Sequence, residues 1–216
     1  MRLILDNLLP GEAAIVSGVS LDNQRNLRRA GYLPKVRGHA RFSIVETARL
    51  LVFGLMSERG IGPKLTSVFA DTAARGIFQK LIWISTIYSN EIGPPALEAT
   101  QADLERAKAN SNSEAESDFS DDDYRSLHGS LAKQYIVEAA QDATGTRGEI
   151  APSFFFLWAN DHPEFFYDDA HPFGDYDFDI PAWQGPAIML PIGGVADLMA
   201  RRLPRSVIHL AREGND

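Results

Sequence analysis

Apolar positions recur along this chain in two rhythms, and each predicts a different element. From Val45 to Arg59, the set Val45, Ala48, Val52, Leu55 and Met56 returns at threes and fours, which predicts an amphipathic helix. Gly62-Pro63 interrupts it, and Pro63 suits the first turn of a further helix. That helix carries the stripe Leu65, Val68, Phe69 and Thr72 to a predicted stop at Gly76. Residues 77–88, IFQKLIWISTIY, are rich in β-branched and aromatic side chains and predict a strand. Ala96 to Lys108 shows only Leu97, Leu104 and scattered alanines. Helical spacing resumes from Tyr124 to Ala143 through Leu127, Leu131, Tyr135 and Ala139, ending near Gly145.

The last third alternates short apolar runs with breaks. Residues 153–158 (SFFFLW) and 164–167 (EFFY) predict neighbouring strands, 187–192 a third, 194–202 a short helix and 206–211 a final strand. Between the helical spacings, residues 109–123 (ANSNSEAESDFSDDD) are acidic and nearly free of aliphatic side chains, the composition of a disordered linker. The expected organisation is therefore α+β, with residues 1–80 as one domain, 81–108 as a connecting segment, 109–123 as the linker and 124–216 as an acidic α+β C-terminal domain. Residues 2–9 form an apolar lead-in expected to pack under the first helix.

The first domain holds the most specific spacing. Glu12 to Ser17 predicts a short helix, Gly18 a turn that needs φ > 0, and Ser20 the cap of a second helix over Leu21 to Ala30. Gly31 ends that helix. A short basic segment from Lys35 to Arg41 then closes on Phe42, and Ser43 with Glu46 has the spacing of a capping box. Helix, tight turn, helix, small wing and helix is an order used to read DNA. Arg25, Arg28, Arg29, Lys35, Arg37 and Arg41 lie in a stretch with no acid. Six such cations against phosphate would give a log–log salt slope of roughly −5. A solvated basic face on an ordinary helical domain is the plainer reading of such a run.

These residues carry a resemblance. Ala14-x-x-x-Gly18-Val19-Ser20, Arg25, Gly31-Tyr32-Leu33-Pro34, Arg41-Phe42-Ser43, Glu46, Leu55 and Gly60-Ile61 resemble the N-terminal winged helix-turn-helix domain of the MerR family of transcription regulators. The resemblance spans roughly residues 9–75, and Val19 to Gly31 fits without a gap. Gln24 stands where the family usually has an apolar residue. A long dimerisation helix usually follows the reading unit in the family, and no convincing stripe for one is present here. The resemblance implies transcriptional control by a homodimer on paired half-sites of double-stranded DNA. A C-terminal region would then sense a small-molecule or protein effector.

In a helix-turn-helix the N-terminal half of the second helix meets the bases. That places Asn23, Gln24 and Arg25 at the base edges, where amides suit adenine and Arg suits guanine, with Ser20 among the expected DNA contacts at the start of the helix. Arg28 and Arg29 fall nearer the DNA backbone, and Arg37, His39 and Arg41 on the wing grip phosphate or the minor-groove edge.

Composition narrows the rest. The 216 residues are 44% hydrophobic with no cysteine, so no disulfide and no thiolate site is available. The longest apolar run is far short of a membrane span and no secretory leader is recognisable, so the chain is expected to be cytoplasmic. The net charge of −8 is divided unevenly: residues 1–80 hold 12 Lys and Arg against 6 acids, and residues 81–216 hold 9 against 23. A fragment of residues 1–80 is accordingly expected to bind DNA more strongly than the whole chain. No cofactor, no metal and no catalytic residue is expected. Residues 161–179 nevertheless gather Asp161, Glu164, Asp168, Asp169, Asp175, Asp177 and Asp179 with His162 and His171. That density keeps a metal-dependent hydrolase open as an alternative, although the spacing matches no ligand motif. A further alternative is a protein-interaction or mobile-element accessory factor that uses the same fold without reading DNA.

Overall fold

Local capping chemistry fixes where the first helices begin and end. The computed structural model describes residues 2–35, 40–110, 121–167 and 185–211. Helix α1 spans Pro10–Ser17, with Pro10 in its first turn. Glu12 Oε2 accepts from the Leu9 N–H at 2.7 Å and so satisfies a free donor at the helix start. Gly18, at φ 74°, ends the helix and donates its N–H to Ala14 O at 2.9 Å. Helix α2 spans Leu21–Arg29, and Ser20 Oγ accepts from the Asn23 N–H at 3.3 Å. Gly31 at φ 85° donates to Arg28 O, and Tyr32 donates to Leu27 O, the paired bonds of a Schellman ending.

Helix α3 spans Ile44–Ser57 and opens on the expected box: Ser43 N–H donates to Glu46 Oε2 at 2.8 Å, and Glu46 N–H donates to Ser43 Oγ at 3.1 Å. It is buried on more than one side, with Ile44, Ala48, Leu50, Leu51, Val52, Phe53 and Met56 all in the core. Where α1 crosses it, Gly54 is required, because a Cβ there would lie 2.4 Å from Ser17 O.

Helix α4 runs from Pro63 to Leu81, which corrects two expectations. The helix does not stop at Gly76. It passes through that residue, whose missing side chain admits Pro152; a Cβ would lie 2.8 Å from the proline Cδ. Nor is 77–88 a strand: Ile77, Phe78 and Leu81 are buried helical residues, and a single 3-10 turn follows at Ser85–Ile87. Burial on several sides favours bulky apolar residues at successive positions and so mimics the composition of a strand.

Strands β2 (Phe154–Trp158), β3 (His162–Phe166) and β4 (Ile188–Pro191) form an antiparallel sheet in the order β3-β2-β4. Phe155 pairs with Phe165 on one side and Leu190 on the other. Asp161, at φ 60°, helps turn β2 into β3. Helix α7 (Ile192–Arg202) follows β4 directly and packs on α4. The Phe69 ring of α4 stacks on Phe155 with centroids 4.2 Å apart.

Residues 6–87 and 148–205 thus make one compact unit. Within it Arg202 Nη1 caps the end of α1 by donating to Val16 O at 3.2 Å, and Arg205 pairs with Asp6 and with Glu12. The second unit comprises residues 1–5, 88–147 and 206–216. In it β1 (Leu3–Leu5) pairs antiparallel with β5 (Ile208–Leu210), and α5 (Gly93–Asn110) packs on α6 (Asp121–Thr144). The chain is α+β as expected, but its compact units do not follow the linear division into 1–80 and 124–216. Of the apolar lead-in, Leu3–Leu5 form a strand, and Leu8 is fully buried where it bridges to Phe42. An 18-residue helix also occupies the segment whose stripe is faint. The expected linker, residues 109–123, lies mostly outside the described residues; 109–110 end α5 and 121–123 begin α6.

Candidate nucleic-acid interface

Helix α2 presents its polar side chains outward because only a narrow face of it is held by the rest of the unit. Asp22, Asn23, Arg25, Asn26, Arg29 and Ala30 are exposed, while Leu27 and Arg28 are half-buried. At 100° per residue the exposed side chains share one arc, and Gln24 points the opposite way.

Gln24 therefore leaves the set of expected base readers. It is 1% exposed, and its Nε2 donates to Pro10 O at 3.1 Å and to Val19 O at 3.0 Å. A buried amide in that position braces the turn between α1 and α2 and offers nothing to a groove. Asn26 occupies the outward phase that Gln24 does not. It is exposed, three residues after Asn23 and three before Arg29, and the helical phase of those neighbours is the signal that marks it.

The other expected contacts divide by what already holds them. Ser20 is exposed, with its hydroxyl oxygen engaged as the cap of α2. Asn23 is exposed and its side chain makes no hydrogen bond among the described residues. Arg25 Nη1 lies 2.8 Å from Asp22 Oδ1, with both side chains largely in solvent, so the pair is easily opened. Arg28 turns toward the following segment: Nε donates to Pro34 O at 3.0 Å, and the guanidinium sits 5.2 Å from the centroid of Phe42. Its role is to hold that segment against α2. Arg29 and Arg41 are exposed. Arg41 precedes Phe42, which is anchored by exchanging two backbone hydrogen bonds with Leu8. Arg37 and His39 lie outside the described residues.

The acidic segment 161–179 is described only in part. Asp161, His162 and Glu164 are seen; Asp168, Asp169, His171, Asp175, Asp177 and Asp179 lie outside the described residues. Glu164 Oε2 accepts from Trp158 Nε1 at 2.7 Å, which gives that carboxylate a structural partner. Among the described residues no three His, Asp or Glu side chains come close enough together to hold a metal ion. No helix among them is long and apolar enough to cross a membrane. No family model, curated protein or solved structure matches this chain.

Proposed function

We propose that the chain is a sequence-specific regulator of the MerR-like winged helix-turn-helix kind, which reads double-stranded DNA with the outer face of α2. One observation carries this reading: Asn23, Arg25, Asn26 and Arg29 share an exposed helical arc, while Gln24 on the opposite side locks that helix to α1. Amides and guanidiniums are the side chains that pair with adenine and guanine edges in the major groove. Arg41 and the basic segment before it would supply phosphate contacts that set the register. Regulators of this geometry read two half-sites as dimers, so homodimerisation belongs to the proposal. A small-molecule or protein effector bound elsewhere on the chain completes it.

Selection from a random DNA pool, followed by anisotropy titrations at several salt concentrations, tests the reading. Enrichment of a motif with repeated half-sites, and an affinity that falls steeply with salt, is the expected result. A pool that stays random through the selection overturns it. A second reading, docking of the same region on a protein, is favoured by the exposure of Ile15 on α1 and Leu21 on α2. Under that reading no DNA is enriched, and changing Ile15 and Leu21 to Ser abolishes partner capture.

A further inference from the structure

We propose that a cavity on the amide flank of α2 binds an aromatic amine, with the ammonium group held at Glu58. The cavity has a volume of about 450 Å³ and lies between α2, the end of α3 and the start of α4. That volume falls in the range of small-molecule sites, roughly 300–1,000 Å³. Its walls combine apolar surface with a few unengaged polar groups, as such sites do. Leu27, Tyr32 and Phe53 supply the apolar part, with the two rings tilted at 49° and their centroids 6.3 Å apart. Asn23, Asn26 and Glu58 supply the polar part, and among the described residues none of these three side chains makes a hydrogen bond or ion pair.

Charge selects the ligand. Among the described residues Glu58 is the one acid in the cavity lining, and no Lys or Arg accompanies it. Glu58 also sits at the C-terminal end of α3, where the helix dipole adds partial negative charge. An organic anion or a nucleotide phosphate would meet a carboxylate with nothing to offset it. A protonated amine meets a carboxylate, and its positive charge is further favoured near the ring of Tyr32. The aromatic part of the ligand then covers Leu27 and Phe53.

The site has a regulatory consequence that rests on the proposed DNA reading. Asn23 and Asn26 belong both to the cavity wall and to the exposed arc of α2. An amine that hydrogen-bonds these amides occupies them when a base edge would need them, so ligand and DNA compete.

The test uses the full chain and two probes of similar size and opposite charge, phenethylammonium and 3-phenylpropionate, titrated by calorimetry and by amide chemical shifts. Phenethylammonium is expected to saturate with a dissociation constant of about a millimolar, as suits nine heavy atoms. The shifts should centre on Asn23, Asn26, Tyr32 and Glu58. Glu58→Gln, an exposed change that leaves the fold intact, should weaken this binding about fivefold, and Tyr32→Leu should weaken it by a similar factor. Binding of 3-phenylpropionate as tight as that of the amine, or an amine affinity untouched by Glu58→Gln, overturns the site. The DNA consequence is read separately. With a selected DNA sequence, saturating phenethylammonium should lower DNA affinity in the parent chain, and the same concentration should lower it up to about fivefold less in Glu58→Gln. Cavity saturation with unchanged DNA affinity overturns the competition alone. If no DNA sequence can be selected, the reading of α2 falls, and the titrations decide the cavity by themselves.

Discussion

Two helices of the same compact unit, α2 and α4, are built on opposite terms. Helix α2 has nine residues, of which only Gln24 is buried, and its ends are defined by Ser20 and Gly31. Helix α4 has nineteen, of which ten are buried, and its start has no side-chain cap. A nine-residue helix is marginal on propensity alone, so α2 depends on caps and on one buried amide. Helix α4 depends on what covers it: Phe155 stacks on Phe69, Pro152 rests on Gly76, and α7 packs along it. A helix held at its ends and by one pin leaves its outer face free for a partner. Helix α4 is held along a broad face, and over Gly76, Ile77, Phe78 and Gln79 on every side, so only the stripe of Lys64, Val68, Asp71, Thr72 and Arg75 is left outward.

The contrast breaks most completely if the chain is cut after Lys80. A fragment of residues 1–80 loses Phe155, Pro152, α7 and the Arg202 cap on Val16, and strips cover from Phe69 and Gly76. It is expected to be unfolded or aggregated, with no cooperative melt by circular dichroism. This replaces the expectation that the fragment binds DNA better than the whole. Charge points the same way. The compact unit that contains α2 carries 14 Lys and Arg against 15 acids, so acids of residues 148–205 offset the basic excess within the unit itself. In the intact chain, Phe69→Ala should lower stability by about 3–5 kcal/mol, read from the urea midpoint. A loss under about 1 kcal/mol would show that α4 stands without the sheet.

The next two changes separate the brace from the reading face. Gln24→Ala removes the donor to Pro10 O and Val19 O and should destabilise the chain by about 1–3 kcal/mol. Its effect on DNA binding should disappear at temperatures where the variant is fully folded. Arg25→Ala and Arg29→Ala should behave in the reverse way. Each is expected to shift stability by no more than about 0.5 kcal/mol. Each should weaken selected-DNA binding, by about 1–3 kcal/mol with relaxed preference if it reads a base, or uniformly with a salt slope reduced by about 1 if it holds phosphate. A Gln24 variant of native stability that cannot bind DNA would return Gln24 to the reading face.

How much of the fold is legible in the sequence follows from the same contrast. Turn and cap signals act over three or four residues, so Gly18, Ser20, Gly31 and the Ser43–Glu46 box are readable from their immediate neighbours. The strands β2, β3 and β4 are readable because their apolar runs are short and bounded. Helix α4 past Gly76 is not, because the reason for that glycine is Pro152, far along the chain. The compact units are illegible for a related reason: residues 6–87 meet 148–205 through side-chain packing that leaves no local signature. Gln24 is the instructive miss. Its amide chemistry suits a base edge, yet it occupies the inward phase of α2, a position the family resemblance gives to an apolar residue. Helical phase, weighed ahead of chemical type, exchanges Gln24 for Asn26.

The smallest expected effect tests whether the outer face of α2 is set for DNA at all. Asp22 is an acid on a surface proposed to meet phosphate, and it holds Arg25 at 2.8 Å. Asp22 also lies in the first turn of α2, where a negative charge is favourable to the helix dipole. Asp22→Asn removes that benefit and an exposed ion pair together, so stability should fall by about 0.5 kcal/mol. Binding should move the other way. With one negative charge fewer and Arg25 released, affinity for selected DNA should rise about threefold near 0.1 M salt, and the gain should shrink as salt rises. A gain that ignores salt is not electrostatic and would count against phosphate lying near α2. A loss of affinity with relaxed preference would give Asp22 a different part, that of a clamp presenting Arg25 to one base edge. The salt titration of this one variant therefore distinguishes a surface restrained by its own acid from a surface that uses the acid to aim.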